Sequence, residues 1–165
     1  MDIKRIIRHL SFSHAKLRKT FPRVALNNIE HVIAEVEQKH AGQIRFAVET
    51  GLEIRPLLAN LSPRERAIEV FSQLRIWDTE QNNGVLIYLL LADRKVEIVA
   101  DRGIHKKLGQ TIWNDLCKEM ESSFRQGKFE EGITIGIRHV SSLLELHYPY
   151  EGVKTNELPD RPVIL

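Results

Sequence analysis

One stretch of the chain constrains the fold more than any other: residues 85–91 are seven consecutive apolar or aromatic residues that follow the turn-forming pair Asn83-Gly84. Seven residues are short for a helix, and β-branched and aromatic side chains favour a strand. A half-buried strand alternates polar and apolar residues, whereas this one is apolar on both faces. Strands of that kind lie inside a sheet that helices cover on each side. The stretch therefore predicts a central strand in a layered α/β fold.

Two neighbouring segments alternate with a period of two and are predicted as further strands. Residues 43–50 place Ile44, Phe46 and Val48 on one face of a half-buried strand. Residues 92–95 form a tight reversal after the central strand, and the alternation then resumes over 96–101. The reversal predicts an antiparallel hairpin. Together the three segments predict a small mixed sheet.

Helical patterns flank these strands. Ser62 and Glu65 form a capping-box sequence around Pro63, which predicts a helix from Pro63 to about Ile76. Three other segments carry apolar stripes at helical spacing: 22–40, 108–124 and 129–144. Helices before, between and after the strands predict a three-layer α/β/α sandwich.

Positive charge is concentrated at the start of the chain. Residues 1–23 contain seven Lys or Arg and one acidic residue, Asp2, so this segment carries +6 in a chain whose net charge is +2. A basic helical segment is typical of a solvated helix, and also of an arm that binds nucleic acid or an anionic membrane surface. We predict a basic helical segment over 1–22, the α/β/α domain over 23–147, and an extended or disordered tail over 148–165.

Absent motifs exclude several functional classes. The sequence contains no GxxxxGK[ST], GxGxxG, HExxH or GxSxG motif. Its seven histidines include no i, i+4 pair, so we expect them at the surface or at helix ends. Cys117 lies beside an apolar stripe and is assigned to packing. One cysteine forms no internal disulfide, and no apolar run approaches the ~20 residues that cross a bilayer. We therefore expect a soluble, cytoplasmic protein without a signal peptide.

The predicted topology places polar residues at one end of the sheet. Asn82 and Asn83 precede the central strand, Asp101 and Arg102 follow its antiparallel partner, and Asp78 comes shortly before them. Carboxylates there would bind a divalent cation through oxygen ligands, and a phosphate with it. The alternative is that the asparagines form a turn and Asp101 is a solvated loop residue. These five residues are the candidate ligand site, and no catalytic residue is assigned.

Four segments in this order resemble the TPM domain family. They are FSQLRIW (71–77), NNGVLI (82–87), DRKVEI (93–98) and FRQGKFEEGI (124–133). The resemblance covers roughly residues 24–147 and implies an α/β/α sandwich, in agreement with the periodicity. Proteins of this family occur in the thylakoid lumen, in photosystem II repair and in modulation of a nematode channel receptor. Some members are reported as acid phosphatases and some as binders of divalent metal.

The chain departs from the family pattern where the family carries acidic residues. Two family glutamates fall on Val99 and His105, and a later family aspartate falls on about Gln110. Arg102 and Lys106 add positive charge nearby. Hard cations need anionic oxygens, so this exchange disfavours them. We therefore expect no cofactor. The alternative, which the resemblance implies, is a divalent cation such as calcium or magnesium.

These observations predict a short, soluble TPM-like domain that acts as a non-catalytic binding or interaction module. The alternative is a divalent-metal-assisted phosphatase, which the resemblance implies. We expect a protein partner, with peripheral membrane contact through the basic N-terminus as a further possibility. Nucleic acid is not expected, because no recognition helix or aromatic platform accompanies the basic segment.

Overall fold

A computed structural model describes residues 3–150, 152 and 156–165 of the chain. Residues 1, 2, 151 and 153–155 belong to the predicted N-terminal segment and tail and lie outside the described residues. The elements of the described chain are, in order, α1 (Ile3–Ser11), α2 (His14–Thr20), α3 (Arg23–Val36), a 3₁₀ turn (Glu37–Lys39), β1 (Gln43–Glu49), α4 (Ile54–Leu58), α5 (Pro63–Gln73), β2 (Gly84–Leu90), β3 (Lys95–Ala100), α6 (Arg102–Leu108), α7 (Gln110–Arg125), α8 (Phe129–His147) and β4 (Val163–Ile164).

The strands of the described chain form one mixed sheet in the order β3-β2-β1-β4. β1 and β2 are parallel, with Ile44 opposite Val85. β2 and β3 form the predicted antiparallel hairpin, and β4 lies parallel to β1 on its other side. The crossover between the parallel strands carries α4 and α5, as parallel pairing requires.

The central strand β2 contributes to a hydrophobic core on each face of the sheet, as its apolar sequence predicts. Val85, Ile87 and Leu89 face the first core. Leu86, Tyr88 and Leu90 face the second core. Because side chains alternate across a strand, the uninterrupted apolar run fills both layers.

The helices complete the three layers. The first core contains side chains of α3, α7 and α8, including the fully buried Ile33, Met120 and Ile137. The second core contains side chains of α4 and α5, including Leu57 and Val70. The α/β/α sandwich predicted from periodicity is therefore confirmed. Among the described residues, no helix combines the length and apolar character that crossing a bilayer requires.

The capping box of α5 forms as the sequence predicts. The Glu65 N–H donates to Ser62 Oγ at 3.2 Å, and the Ser62 N–H donates to Glu65 Oε2 at 2.8 Å. The helix ends at Gln73, before the predicted Ile76, whose side chain is buried in the second core. A Cβ on Gly84 would lie 2.2 Å from the Ile76 carbonyl oxygen, so the chain returning from α5 passes too close to β2 for any other residue.

The prediction that β1 is half-buried is wrong, because all seven of its residues are buried. Glu49 is covered through its contacts with α5, and Arg45 donates from Nη1 to the Arg161 carbonyl at 3.2 Å. The returning C-terminal segment adds β4 beside β1, with Ala47 opposite Val163. β4 has two residues, which is too short for any periodicity to predict it.

Candidate functional site

The two loops at the amino end of β2 meet as the topology predicts. The Asp101 N–H donates to the Gly84 carbonyl at 2.9 Å, which places Asp101 beside the start of β2. Arg102 Nε donates to Asn82 Oδ1 at 3.0 Å and links the two loops. The sheet-end site is hereafter the group Asn82, Asn83, Asp101, Arg102 and Tyr148.

Asp101 is a helix cap whose second oxygen is left free. Its Oδ1 accepts a 2.7 Å hydrogen bond from the Arg102 N–H at the start of α6. The residue is 6% exposed, and its Oδ2 is buried without a hydrogen-bond partner in the described chain. Burial raises the pKa of Asp101, and the backbone N–H and charge of Arg102 offset only part of this effect. Asp101 is therefore not the solvated loop residue of the alternative interpretation.

Asn83 is also buried and also keeps one free oxygen. Its N–H donates to Thr79 Oγ1 at 3.1 Å, and its Nδ2 donates to the Ala41 carbonyl at 3.2 Å. These bonds orient the amide, but its Oδ1 has no partner among the described residues. Buried polar atoms are nearly always hydrogen-bonded, so two free acceptors in one site mark a place where a ligand or water can bind.

Tyr148 completes the site and was not predicted, because it lies in the segment assigned to the tail. Its N–H donates to the Leu144 carbonyl at 2.7 Å, and its carbonyl accepts from the Ala41 N–H at 2.9 Å. Burial, and then the charge of Asp101, raise the pKa of its hydroxyl. A Cβ on Gly103 would lie 2.4 Å from the Asn82 carbonyl oxygen and 2.9 Å from Tyr148 Oη. Glycine at 103 therefore allows the three segments to meet.

The remaining predicted residue is Asp78. It lies on the exposed turn between α5 and β2, and its side chain has no hydrogen bond or ion pair with any described residue. The positions of the missing family carboxylates have other roles. Val99 packs in the second core, His105 is half-buried in α6, and Gln110 Nε2 donates to Asn114 Oδ1 at 2.9 Å.

The oxygens present do not fit a resident divalent cation. Calcium takes six to eight oxygen ligands, and several of these are normally carboxylate oxygens. The sheet-end site offers one carboxylate, Asp101, on which the positive charge of Arg102 acts. Nowhere in the described chain do three or more His, Cys, Asp or Glu side chains converge in a group able to hold a metal ion.

A second candidate surface lies at the other end of the sheet, where α1 is attached to the domain through its basic residues. Arg5 Nε lies 3.1 Å from Asp93 Oδ2, and Arg8 also pairs with this carboxylate. His9 Nε2 lies 3.0 Å from Asp93 Oδ1, while its Nδ1 accepts from the Leu52 N–H at 2.9 Å. The histidine lies in the last turn of α1, at a helix end as predicted, and it is buried.

The apolar side of α1 consequently faces outward. Ile3, Ile7 and Leu10 are 60%, 62% and 58% exposed, and their spacing places them in one stripe. Ile6 alone among the apolar residues of α1 packs against the second core. These three exposed residues are hereafter the α1 face. A surface helix normally buries its apolar stripe, so this arrangement leaves an apolar surface open for a partner.

The same end of the sheet holds a buried polar network. Arg66 donates to both oxygens of Glu49, at 2.9 Å from Nε and 3.1 Å from Nη2. The Tyr88 hydroxyl donates to Glu49 Oε2 at 2.6 Å. Burial and the neighbouring Glu49 carboxylate raise the pKa of Tyr88, which remains a neutral donor. Both charged side chains of this network, Arg66 and Glu49, are paired. Fully paired buried networks are typical of residues that stabilise the fold.

Cys117 lines a shallow surface cleft between β3 and α7, together with Lys95, Glu97 and Glu121. Burial, followed by the charge of Glu97, raises the pKa of its thiol to about 12. A reactive cysteine needs a thiolate near neutral pH. Cys117 therefore has the properties of a packing residue.

The fold and the sheet-end site together define a class: an α/β/α domain with a mixed sheet and a polar site where its hairpin strands meet the helices. The model of the TPM domain family matches residues 17–143, which is more than half of the chain. The chain therefore belongs to the TPM domain family.

Two solved structures are similar to this chain. The BA42 protein of the psychrophilic bacterium Bizionia argentinensis is 28% identical with a TM-score of 0.73, over 85% of this chain and 92% of that one. The N-terminal domain of a P. gingivalis protein is 18% identical with a TM-score of 0.58, over 74% of this chain and 76% of that one, and shows similarity in fold. No curated protein matches the chain.

Proposed function

We propose that this TPM domain is a non-catalytic interaction module that binds a partner through the α1 face. The observation that carries the proposal is the orientation of α1, whose basic residues hold the helix to Asp93 while Ile3, Ile7 and Leu10 remain exposed. An apolar stripe that is held in place but left uncovered is typical of an interaction site.

The chemistry of the sheet-end site supports the absence of catalysis. Hydrolysis needs a nucleophile with an adjacent base, or a metal that activates water. Asp101 is engaged as the cap of α6, and Asn82 is held by Arg102. The predicted second carboxylate, Asp78, lies on an exposed turn and makes no hydrogen bond or ion pair with any described residue of this group. This arrangement suits a binding site better than an acid–base pair.

The metal-assisted phosphatase is the second candidate, and the free oxygens of Asn83 and Asp101 favour it. The chelator-treated protein should be melted with and without calcium, magnesium or manganese, and assayed with p-nitrophenyl phosphate. We expect no rise in Tm and no hydrolysis. A rise of roughly 5–10 °C, the effect of a ligand at about 100 times its Kd, with hydrolysis that Asp101→Asn abolishes, would replace our proposal.

The interaction surface has its own test. Wild-type protein and Ile7→Asp should be used as bait under identical conditions, with Leu146→Asp as the control because Leu146 is an exposed aliphatic residue of α8. We expect Ile7→Asp to lose the bound partner and Leu146→Asp to keep it. Equal recovery with all three baits would exclude the α1 face.

We also propose a cytoplasmic location, because the single Cys117 forms no internal disulfide. Cell fractionation tests this proposal.

A further inference from the structure

We propose that the α1 face docks on an anionic membrane surface, with its aliphatic residues in the interfacial region and the surrounding cations at the lipid headgroups. This inference rests on the proposed interaction role and names the partner of that surface. It is carried by three features of the folded chain: the outward stripe, the positive charge of α1 and α2, and the rigid attachment of the helix.

The outward stripe has the composition of an interfacial helix. Ile3, Ile7 and Leu10 are aliphatic and exposed, and α1 packs beside α4, whose Ile54 and Leu58 are also exposed. Helices that lie in the membrane interface place such residues at the boundary of the acyl chains. The stripe itself consists of aliphatic residues alone.

The positive charge of α1 and α2 matches an anionic surface. No acidic residue occurs anywhere in 3–29, a segment that holds seven Lys or Arg. Lys4, Arg18 and Lys19 are exposed and have no ion-pair partner in the described part of the chain. Lys4 lies on α1 and Arg18 on α2, whereas Lys19, also on α2, lines a cleft with Glu130 and Glu131 of α8. Basic residues near an anionic leaflet each add to the attraction.

The attachment of α1 orients the stripe before binding. Asp93 holds Arg5, Arg8 and His9, which lie on the side of α1 away from the stripe. Free amphipathic peptides must fold at the membrane, whereas this helix is already formed and directed outward. Docking therefore requires no ordering of α1, which removes one free-energy cost of binding.

The test is co-sedimentation of the full chain with vesicles of phosphatidylcholine alone or of phosphatidylcholine with about a quarter phosphatidylserine. We expect binding only to the anionic vesicles and a loss of binding at high salt. The triple variant Ile3→Ser, Ile7→Ser, Leu10→Ser should bind about tenfold or more weakly, because it removes the inserted aliphatic surface. Leu146→Ser, at a position that is 73% exposed on α8, should bind as wild type does.

Each other result has a defined meaning. Equal binding to neutral and anionic vesicles, no binding to either, or unchanged binding of the triple variant would each overturn the membrane assignment. If vesicles are not bound but Ile7→Asp still loses a protein partner, the interaction role stands and the membrane inference fails. If both experiments are negative, both fail. Circular dichroism melts of the variants confirm that they are folded, as expected for exposed positions.

Discussion

The buried carboxylates at the two ends of the sheet differ in their partners, apart from Glu37 at the amino end, whose Oε1 accepts from the Ile44 N–H at 2.6 Å. At the carboxyl end of the parallel strands, Glu49 is bound by Arg66 and Tyr88, and Asp93 by Arg5, Arg8 and His9. At the amino end, Asp101 keeps one buried oxygen free. A paired buried carboxylate supports the fold, whereas a free one lowers stability. Glu49 and Asp93 therefore have structural roles, whereas the free oxygen of Asp101 can accept a hydrogen bond from a ligand.

The pKa directions follow the same division. Burial alone would raise the pKa of Asp93, but hydrogen bonds from His9 and Arg8 outweigh it and hold the pKa below its ordinary value. Burial also raises the pKa of Asp101, and there the contacts with Arg102 are too weak to reverse it. Relative to the unfolded chain, folding therefore favours the ionised form of Asp93 and disfavours the ionised form of Asp101.

The largest effect is expected for Glu49→Ala. The substitution leaves the Arg66 guanidinium and the buried Tyr88 hydroxyl without their acceptor, so the free energy of unfolding should fall by about 3–4 kcal/mol. Urea denaturation at neutral pH measures it. Glu69→Ala is the control, since Glu69 binds the same Arg66 from an exposed position and its removal should change little. Similar losses for both variants would contradict the structural role of Glu49.

Asp93→Ala should cost about 2–3 kcal/mol, somewhat less because one of its partners, Arg8, is half exposed. The loss should be local: α1 detaches, so its amides exchange with solvent faster, while those of β2 stay protected. Hydrogen exchange with mass spectrometry checks this pattern. Asp115→Ala, which removes an exposed pair with Lys118, provides the reference. Unchanged exchange in α1 would show that Asp93 does not hold the helix.

Tyr88→Phe should cost about 1 kcal/mol. It removes one buried hydrogen bond and leaves Glu49 with both of its bonds to Arg66. The measurement is the midpoint of urea unfolding at constant slope. A loss as large as that of Glu49→Ala would mean that the hydroxyl, rather than the guanidinium, satisfies the carboxylate.

Asp101→Asn should have the smallest effect at neutral pH, within about 0.5 kcal/mol, and in the stabilising direction. Asparagine caps a helix as aspartate does, and the substitution removes a buried charge. Unfolding in urea at neutral pH, compared with Asp101→Ala, which loses the cap, provides the measurement. A clear destabilisation by asparagine would mean that the Asp101 charge already has a partner.

The pH dependence sharpens the comparison further. A raised pKa means that the stability from Asp101 is present below the ordinary aspartate pKa of about 4 and is lost as pH rises through its folded value. The advantage of Asp101→Asn should therefore shrink on acidification toward pH ~4. For Asp93 the sign is reversed: its stability is present above pH ~4 and is lost as pH falls through its lowered value. Parallel pH profiles for Asp101→Asn and Asp93→Asn would refute the division.

The predictable parts of the molecule were those decided by neighbours along the chain. The apolar run at 85–91 placed β2 between two cores, and Ser62 with Glu65 placed the start of α5. The hairpin also predicted that Asn82 and Arg102 meet, because an antiparallel partner must return to the end where the first strand began. Asp78 lies on an exposed turn before β2, and its place in the site stays a prediction.

The histidines show what local pattern misses. His9 and His40 lie at helix ends, as predicted, but both are buried, which no local pattern indicated. His40 lies within hydrogen-bonding distance of the Gly42 carbonyl and of Ser141 Oγ, at 3.2 and 3.1 Å. Ser141 is 101 positions away along the chain, so no spacing rule detects the pair. Tyr148 was missed for the same reason.

The sequence alone determined the layered α/β class, the central strand and the helix caps, because periodicity and capping act over a few residues and dictate which faces are apolar. Only the tertiary structure decided the burial of β1, the addition of β4 and the outward orientation of the α1 face. Each depends on a carboxylate, a carbonyl or a strand edge brought in from a distant segment. An apolar stripe predicts a buried face only when no stronger contact fixes the orientation of the helix. In α1 that contact is Asp93, which pairs with Arg5, Arg8 and His9 and leaves the apolar stripe exposed.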